Sequence, residues 1–328
     1  MFKQLELEQF TVFEQARFDW AAGINVLVGA NGTGKTHLLK LLYCLQMCGH
    51  DEKLLQKKLV NVFCPKQGNR VHYLVRGSRF ENQVATITAN WNNQSLNTVF
   101  HDTVGEVSTI SAHEWQVEQS PVYMPAKEVL SFAPGFISLY DKYNLAFDEV
   151  YYDVIKQAYL PSQRNSDAKQ QAVLALLEQV MGGKVSIQGD TFQIGSHTMH
   201  LVAEGHRKLA LIWQLIRNGS ISANNTLFWD EPEANLNPAL MEDVVKVLLM
   251  LAANGTQVFI ATHNYAFLRE LDFQKGDMPT CFFALENTLD HGVIPHAAES
   301  YRDIKPNKIA EEYLRLYDLE IKRSLGDV

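Results

Sequence analysis

The sequence predicts an α/β domain with a central, mostly parallel sheet, an attached antiparallel β-layer and an inserted helical lobe. Three observations carry that reading. The apolar run INVLV at residues 24–28 breaks into the glycine-rich GANGTGKT and then into the helical stretch HLLKLLYCL, so a buried strand feeds a helix through a tight loop. Two later apolar runs, TLFWD and QVFIATH, also end on polar residues, as strands do when both faces are buried and the reactive groups sit at one sheet edge. Between residues 70 and 122, VHYLVRG, QVATITANW, LNTVFH, VSTIS and PVYM are short, rich in β-branched residues and separated by Gly, Asn and Ser, which reads as the antiparallel layer.

Along the chain, residues 2–20 alternate apolar and polar as two strands, with Phe10 and Phe13 marking the turn. A helix is expected over about residues 37–47, and the lysines of DEKLLQKKL read as a solvated helix face. From residue 128 to 181 the period becomes helical in FISLYDKY, FDEVYYDVIKQAYL and DAKQQAVLALLEQVM, broken at Pro134, Pro161 and Gly182–Gly183. A hairpin, VSIQG and DTFQIG, precedes HLVAEGHRK, which opens a helix with Leu209, Ile212, Trp213 and Ile216 on one face. A helix over residues 238–253, the strand QVFIATH, a strand near CFFALEN and the helix IAEEYLRLYDLEIKRSL complete the chain. The expected division is a nucleotide-binding core of residues 1–127 and 184–328 with a helical lobe at about 128–183.

Composition narrows the class. At 328 residues with a formal charge of −8, the chain builds a sizeable core and has no global basic field, so nucleic acid could be met only through a local patch. Cys44, Cys48, Cys64 and Cys281 form no C-x-x-C pair, which predicts reduced thiols in a cytoplasmic protein. MFKQLELEQF has no apolar signal core and no eighteen-residue apolar run exists, which argues against export and membrane insertion.

GANGTGKT matches G-x-x-x-x-G-K-[ST] at Gly29, Gly34, Lys35 and Thr36. A polyphosphate needs several converging backbone N–H groups, so Gly29, Ala30, Asn31, Gly32, Thr33 and Gly34 form the cradle, with glycines where a Cβ would intrude. Lys35 then places a point charge on the β- and γ-phosphates of ATP, Thr36 offers its hydroxyl to Mg²⁺, and the helix start aims its positive end at the anion. Asp230, closing TLFWD at the same sheet edge, is the expected Mg²⁺ partner. Glu231 would polarise the attacking water, and His263, closing the next strand, would hydrogen-bond the γ-phosphate or position that water.

With these motifs the chain resembles an ABC-type ATPase head of the RecF, SMC and OLD class, a P-loop NTPase. The resemblance covers most of the chain: the opening through GANGTGKT, DEPEANLNP as Walker B and D-loop, and ATHN with the switch histidine. It implies that Asp230 binds Mg²⁺, Glu231 is the catalytic base, Asn235 to Asn237 form the D-loop and His263 senses the γ-phosphate. The signature loop departs from the pattern, since Ala203-Glu204-Gly205 stands where Ser-x-Gly is usual. In such heads that loop reaches the nucleotide of a second subunit. The expectation is therefore that Arg207 or His206 supplies the missing donor beside the backbone and dipole of Ala203 and Gly205. No glutamine marks the glutamine loop in PVYMPAKEVLSF; either Lys127 or Glu128 takes that place, or these residues serve in a salt bridge linking the two lobes.

About 170 residues separate phosphate loop and signature, too few for long heptad arms, and with only a strand or two and a terminal helix read after His263, a nuclease is expected to be a separate chain. The resemblance thus implies a soluble ATPase that dimerises around ATP, or assembles further through the ATP sites, and switches a separate effector such as a nuclease, in genome maintenance or anti-phage defence. Two competing readings are the nucleotide-binding subunit of a membrane transporter and a nucleotide-dependent scaffold that barely hydrolyses.

Overall fold

The structure, a computed structural model, describes residues 1–63, 71–77, 82–103, 106–111, 115, 119–143, 145, 147–164 and 167–325. The antiparallel pair β1 (Phe2–Phe10) and β2 (Phe13–Asp19) leads into the wholly buried β3 (Ile24–Val28), then α1 (Lys35–Cys48) and α2 (Glu52–Phe63). β4 (Val84–Trp91), β5 (Gln94–His101) and β6 (Val107–Ser111) extend the antiparallel ribbon, and β7 (Val122–Met124) follows. Helices α3 (Phe136–Tyr143), α4 (Glu149–Ala158) and α5 (Ala168–Met181) come next. A small separate sheet is made by β8 (Val185–Gln188), β9 (Thr191–Ile194) and β10 (His197–Thr198). The last third runs α6 (Glu204–Arg217), β11 (Thr226–Asp230), α7 (Met241–Ala253), β12 (Gln257–Thr262), α8 (Tyr265–Gln274), β13 (Thr280–Thr288), β14 (Gly292–Ala298) and α9 (Lys308–Leu325).

The main sheet has eleven strands in the order β6-β5-β4-β1-β2-β14-β13-β3-β12-β11-β7. From β13 to β7 neighbours are parallel; from β14 to β6 they are antiparallel. Alternation along the parallel strands divides the core in two. Ile24, Val26, Leu227, Trp229, Val258 and Ile260 face α5 to α8, whereas Leu27, Phe228, Phe259 and Ala261 face α1, α2 and the ribbon. Where ribbon meets parallel half, the ladder narrows to one pair, Gly292↔Phe13. Aromatic packing spans that seam: Trp20 stacks on Phe18 at 4.9 Å and meets Phe259 and Phe283 at 5.1 and 4.8 Å. Each fully buried ring contributes about 1.5–3 kcal/mol by burial alone, so rings can do here what few hydrogen bonds do. Gly292 has φ +65°, and a Cβ there would lie 2.5 Å from the Val12 carbonyl oxygen.

The α/β architecture agrees with the sequence, including the Phe10/Phe13 turn and the stop of α5 at Gly182, whose left-handed backbone lets the Gly183 N–H reach the Glu178 carbonyl at 3.0 Å. Four local expectations are corrected. VHYLVRG is no strand over its described residues: His72–Leu74 is a 3₁₀ turn, and only Val75 bridges to Phe10. PVYM belongs to the parallel half, pairing with β11 through Leu227↔Val122, a partner over a hundred residues away. The α2 lysines are not one solvated face, because Lys58 is buried against Glu149 (3.3 Å) and Asp153 of α4. Beyond His263 the chain adds the unforeseen α8 ahead of β13, β14 and α9. Cys44, Cys48 and Cys281 are free thiols, and Cys64 lies outside the described residues. Among the described residues no helix is long and apolar enough to cross a membrane.

Candidate functional site

Parallel pairing levels the ends of three strands. Val28 is opposite Thr262, and Ala261 is opposite Asp230, so Gly29, Asp230 and His263 emerge along one sheet edge. The loop after β3 curls because Gly32 and Gly34 take φ of +82° and +85°, backbone that favours glycine. Packing adds a second demand at two positions. A Cβ on Gly34 would meet Val12 at 2.6 Å, and one on Gly29 would meet the Thr33 hydroxyl at 2.8 Å. Thr33 closes the loop by donating to the Ala30 carbonyl at 2.9 Å. Gly34 is the N-cap of α1, which leaves that helix's first N–H groups directed at the loop.

Lys35 is buried and donates its Nζ to the carbonyls of Gly29 (2.7 Å) and Ala30 (2.9 Å). It has no ion-pair partner within salt-bridge distance among the described residues; burial lowers its pKa, with Glu231 and Asp230 opposing. Thr36 donates its hydroxyl to Asp230 Oδ2 at 2.8 Å, joining loop and β11 across 194 positions. Burial raises the Asp230 pKa despite the Thr36 bond, and the neighbouring Glu231 adds to the rise. A buried carboxylate beside a hydroxyl at an anion cradle is a donor set that a divalent cation relieves. The residues present therefore fit ATP and Mg²⁺: Thr36 and Asp230 would hold the ion, Gly29 to Thr36 the phosphates. Among the described residues no cluster of three His, Cys, Asp or Glu could hold a metal by itself.

Glu231 turns out of the strand with φ +48°, a backbone that costs a non-glycine residue about 1 kcal/mol or more, while its N–H stays on the Ala261 carbonyl at 2.9 Å. Its Oε1 lies 3.1 Å from His263 Nδ1, and both side chains keep solvent access. A carboxylate and an imidazole so paired can order and deprotonate a water beside them.

The loop ahead of α6 is built differently. Ala203 is exposed and is the N-cap, whereas Gly205 is buried against the D-loop, where a Cβ would meet Leu236 at 2.9 Å. Asn235, also left-handed at φ +61°, donates to Glu204 at 2.8 Å. Arg207 departs from expectation: its Nε pairs with Glu128 at 3.3 Å and its Nη1 donates to the Met199 carbonyl at 3.1 Å, so the guanidinium faces inward. Glu128 takes the salt-bridge alternative read from sequence, bound to α6 and to Ser131, while Lys127 is exposed. His206 stays partly exposed in a pocket with Leu201, Ala203 and Gly195.

Sequence reading passed over two residues here. Lys208 is buried and donates to the Ala234 carbonyl at 2.7 Å, and Glu233 is buried with one oxygen on the Thr262 hydroxyl at 2.6 Å. The signal for Glu233 was a third carboxylate inside DEPE; nothing local marked Lys208, whose partners lie 26 positions on.

A family model described as "AAA domain, putative AbiEii toxin, Type IV TA system" matches residues 127–269, which include Ala203, Asp230, Glu231 and His263 but not the phosphate loop. The chain is also similar to an SMC head solved bound to the C-winged helix domain of ScpA, at 13% identity, with 92% of this chain and 98% of that chain covered and a TM-score of 0.58. A second SMC head, with an extended coiled coil and bound to the C-terminal domain of ScpA from Pyrococcus furiosus, gives 11% identity, 98% and 99% coverage and a TM-score of 0.58. The chain thus shares the fold of SMC head domains and brings the phosphate loop, Asp230, Glu231 and His263 together at one edge of its sheet.

Proposed function

We propose that this ABC-type ATPase head binds Mg²⁺·ATP at Gly29 to Thr36 and Asp230, hydrolyses it with Glu231 and His263, and closes the site with the Ala203 loop of a second copy. The observation carrying this reading is the pairing of Thr36 with Asp230 and of Glu231 with His263 at one sheet edge. The exposed start of α6 supplies N–H groups and a positive helix end, and with Arg207 turned inward His206 is the side chain left to reach a neighbour's γ-phosphate. Bound Mg²⁺ supplies charge neutralisation on the phosphates. Lys35 leaves the loop carbonyls for the phosphate oxygens, and Glu231 takes the proton of a water held against His263.

ATP-driven pairing would set the state of a separate protein. SMC heads of this fold are solved with ScpA domains, which supports a protein partner, and the family description, with its toxin and TA system, favours defence over genome maintenance. The decisive variant is Glu231→Gln. Turnover is expected to fall about 10²- to 10⁴-fold while ATP still binds, and the protein should elute as a dimer with ATP in size-exclusion chromatography. A monomer at saturating ATP overturns the sandwich; unchanged turnover overturns the base.

A further inference from the structure

Residues 230–236 do more than present Asp230 and Glu231. Glu233, 6% exposed, has one carboxylate oxygen on the Thr262 hydroxyl at 2.6 Å; the other finds no partner among the described residues. The Thr262 oxygen in turn accepts the Asn264 N–H at 3.0 Å, and Asn264 caps α8 by accepting the Phe267 N–H at 3.0 Å. His263 is thus bracketed by two residues pinned, directly or through one hydroxyl, to Glu233. The same stretch is held to α6 from the other side, by Lys208 on the Ala234 carbonyl (2.7 Å) and by Asn235 on Glu204 (2.8 Å).

A half-satisfied buried carboxylate is a poor way to gain stability. An apolar side chain would fill the place without desolvating a charge, and burial does raise this carboxyl's pKa. We propose that Glu233 is a positioning residue for water activation: through Thr262 it sets His263 against Glu231 and ties that geometry to the α6 loop. This rests on the hydrolysis reading above.

The test is steady-state ATP hydrolysis by the full chain. Glu233→Ala should lower kcat about 10- to 100-fold with KM for ATP within about 3-fold, the range seen when a group behind a reacting residue is removed. Glu233→Gln keeps an acceptor for the Thr262 hydroxyl and should restore most of the rate. Thr262→Val should reproduce the alanine loss, and it decides the matter if Glu233→Ala does not fold. In a His263→Ala background, Glu233→Ala should cost nothing further, because both act at one step. Unchanged kcat, a loss glutamine does not rescue, or full additivity with His263→Ala overturns the proposal while leaving ATP hydrolysis standing. A wild-type chain that binds ATP without turning it over overturns the hydrolysis reading and this one with it.

Discussion

Two lysines, Lys35 and Lys58, are about equally buried, and burial has opposite outcomes for them. Lys58 lies against Glu149 and Asp153, and although burial lowers its pKa, the two carboxylates outweigh that and raise it. Lys35 has two carbonyls and more distant acids, and burial wins. The first is a satisfied ion cluster tying α4 to α1 and α2, joined by the Tyr43 hydroxyl on Asp153 at 2.6 Å. The second is a cation kept dry without a counter-ion, which is how a site looks when its anion is the substrate.

The sharpest way to break the comparison is to remove both charges in turn. Lys58→Ala strands two part-buried carboxylates and should cost about 3 kcal/mol or more in urea unfolding, with ATP affinity unchanged. Lys35→Ala should weaken ATP binding roughly 10- to 100-fold in calorimetry, as loss of a charge-assisted bond does, with little change in unfolding. The smallest effect is in pH. Because burial lowers Lys35 below 10.5, its charged form costs stability below the folded pKa, and that cost fades as pH climbs toward 10.5. Wild type should therefore gain on Lys35→Met as pH climbs from the folded pKa of Lys35 to 10.5. Lys58, raised above 10.5, gives its full stabilisation below that value and loses it only as pH rises through the folded pKa, so the Lys58→Met deficit should stay flat over the same window.

That contrast also marks what could be read without coordinates. Lys35 was legible because its function is written in eight consecutive residues, and the apolar run before them fixes strand, turn and helix together. Lys58 was not, since Glu149 and Asp153 lie over ninety positions away and charge in a lysine-rich helix reads locally as solvation. β7 failed for the same reason: three residues carry no period, and only β11 makes them a parallel strand. The α8 helix carried a usable sign in the Asn264 cap and in Phe267, Leu268 and Leu271, obscured by the short, ambiguous run after ATH. The inward turn of Arg207 was not legible either, because spacing places a residue on a loop but does not say which way its guanidinium turns.

Gly292 has a consequence of its own. Eleven strands count as one sheet only because that residue's backbone crosses close to β2 at Phe13, with no room for a methyl group beside Val12 and Arg76. A side chain there would press β14 away from β2, leaving five strands on the ribbon side and six on the nucleotide side, held together by the rings of Phe18, Trp20, Phe259 and Phe283 and by the buried bonds between Gln257 and Phe2.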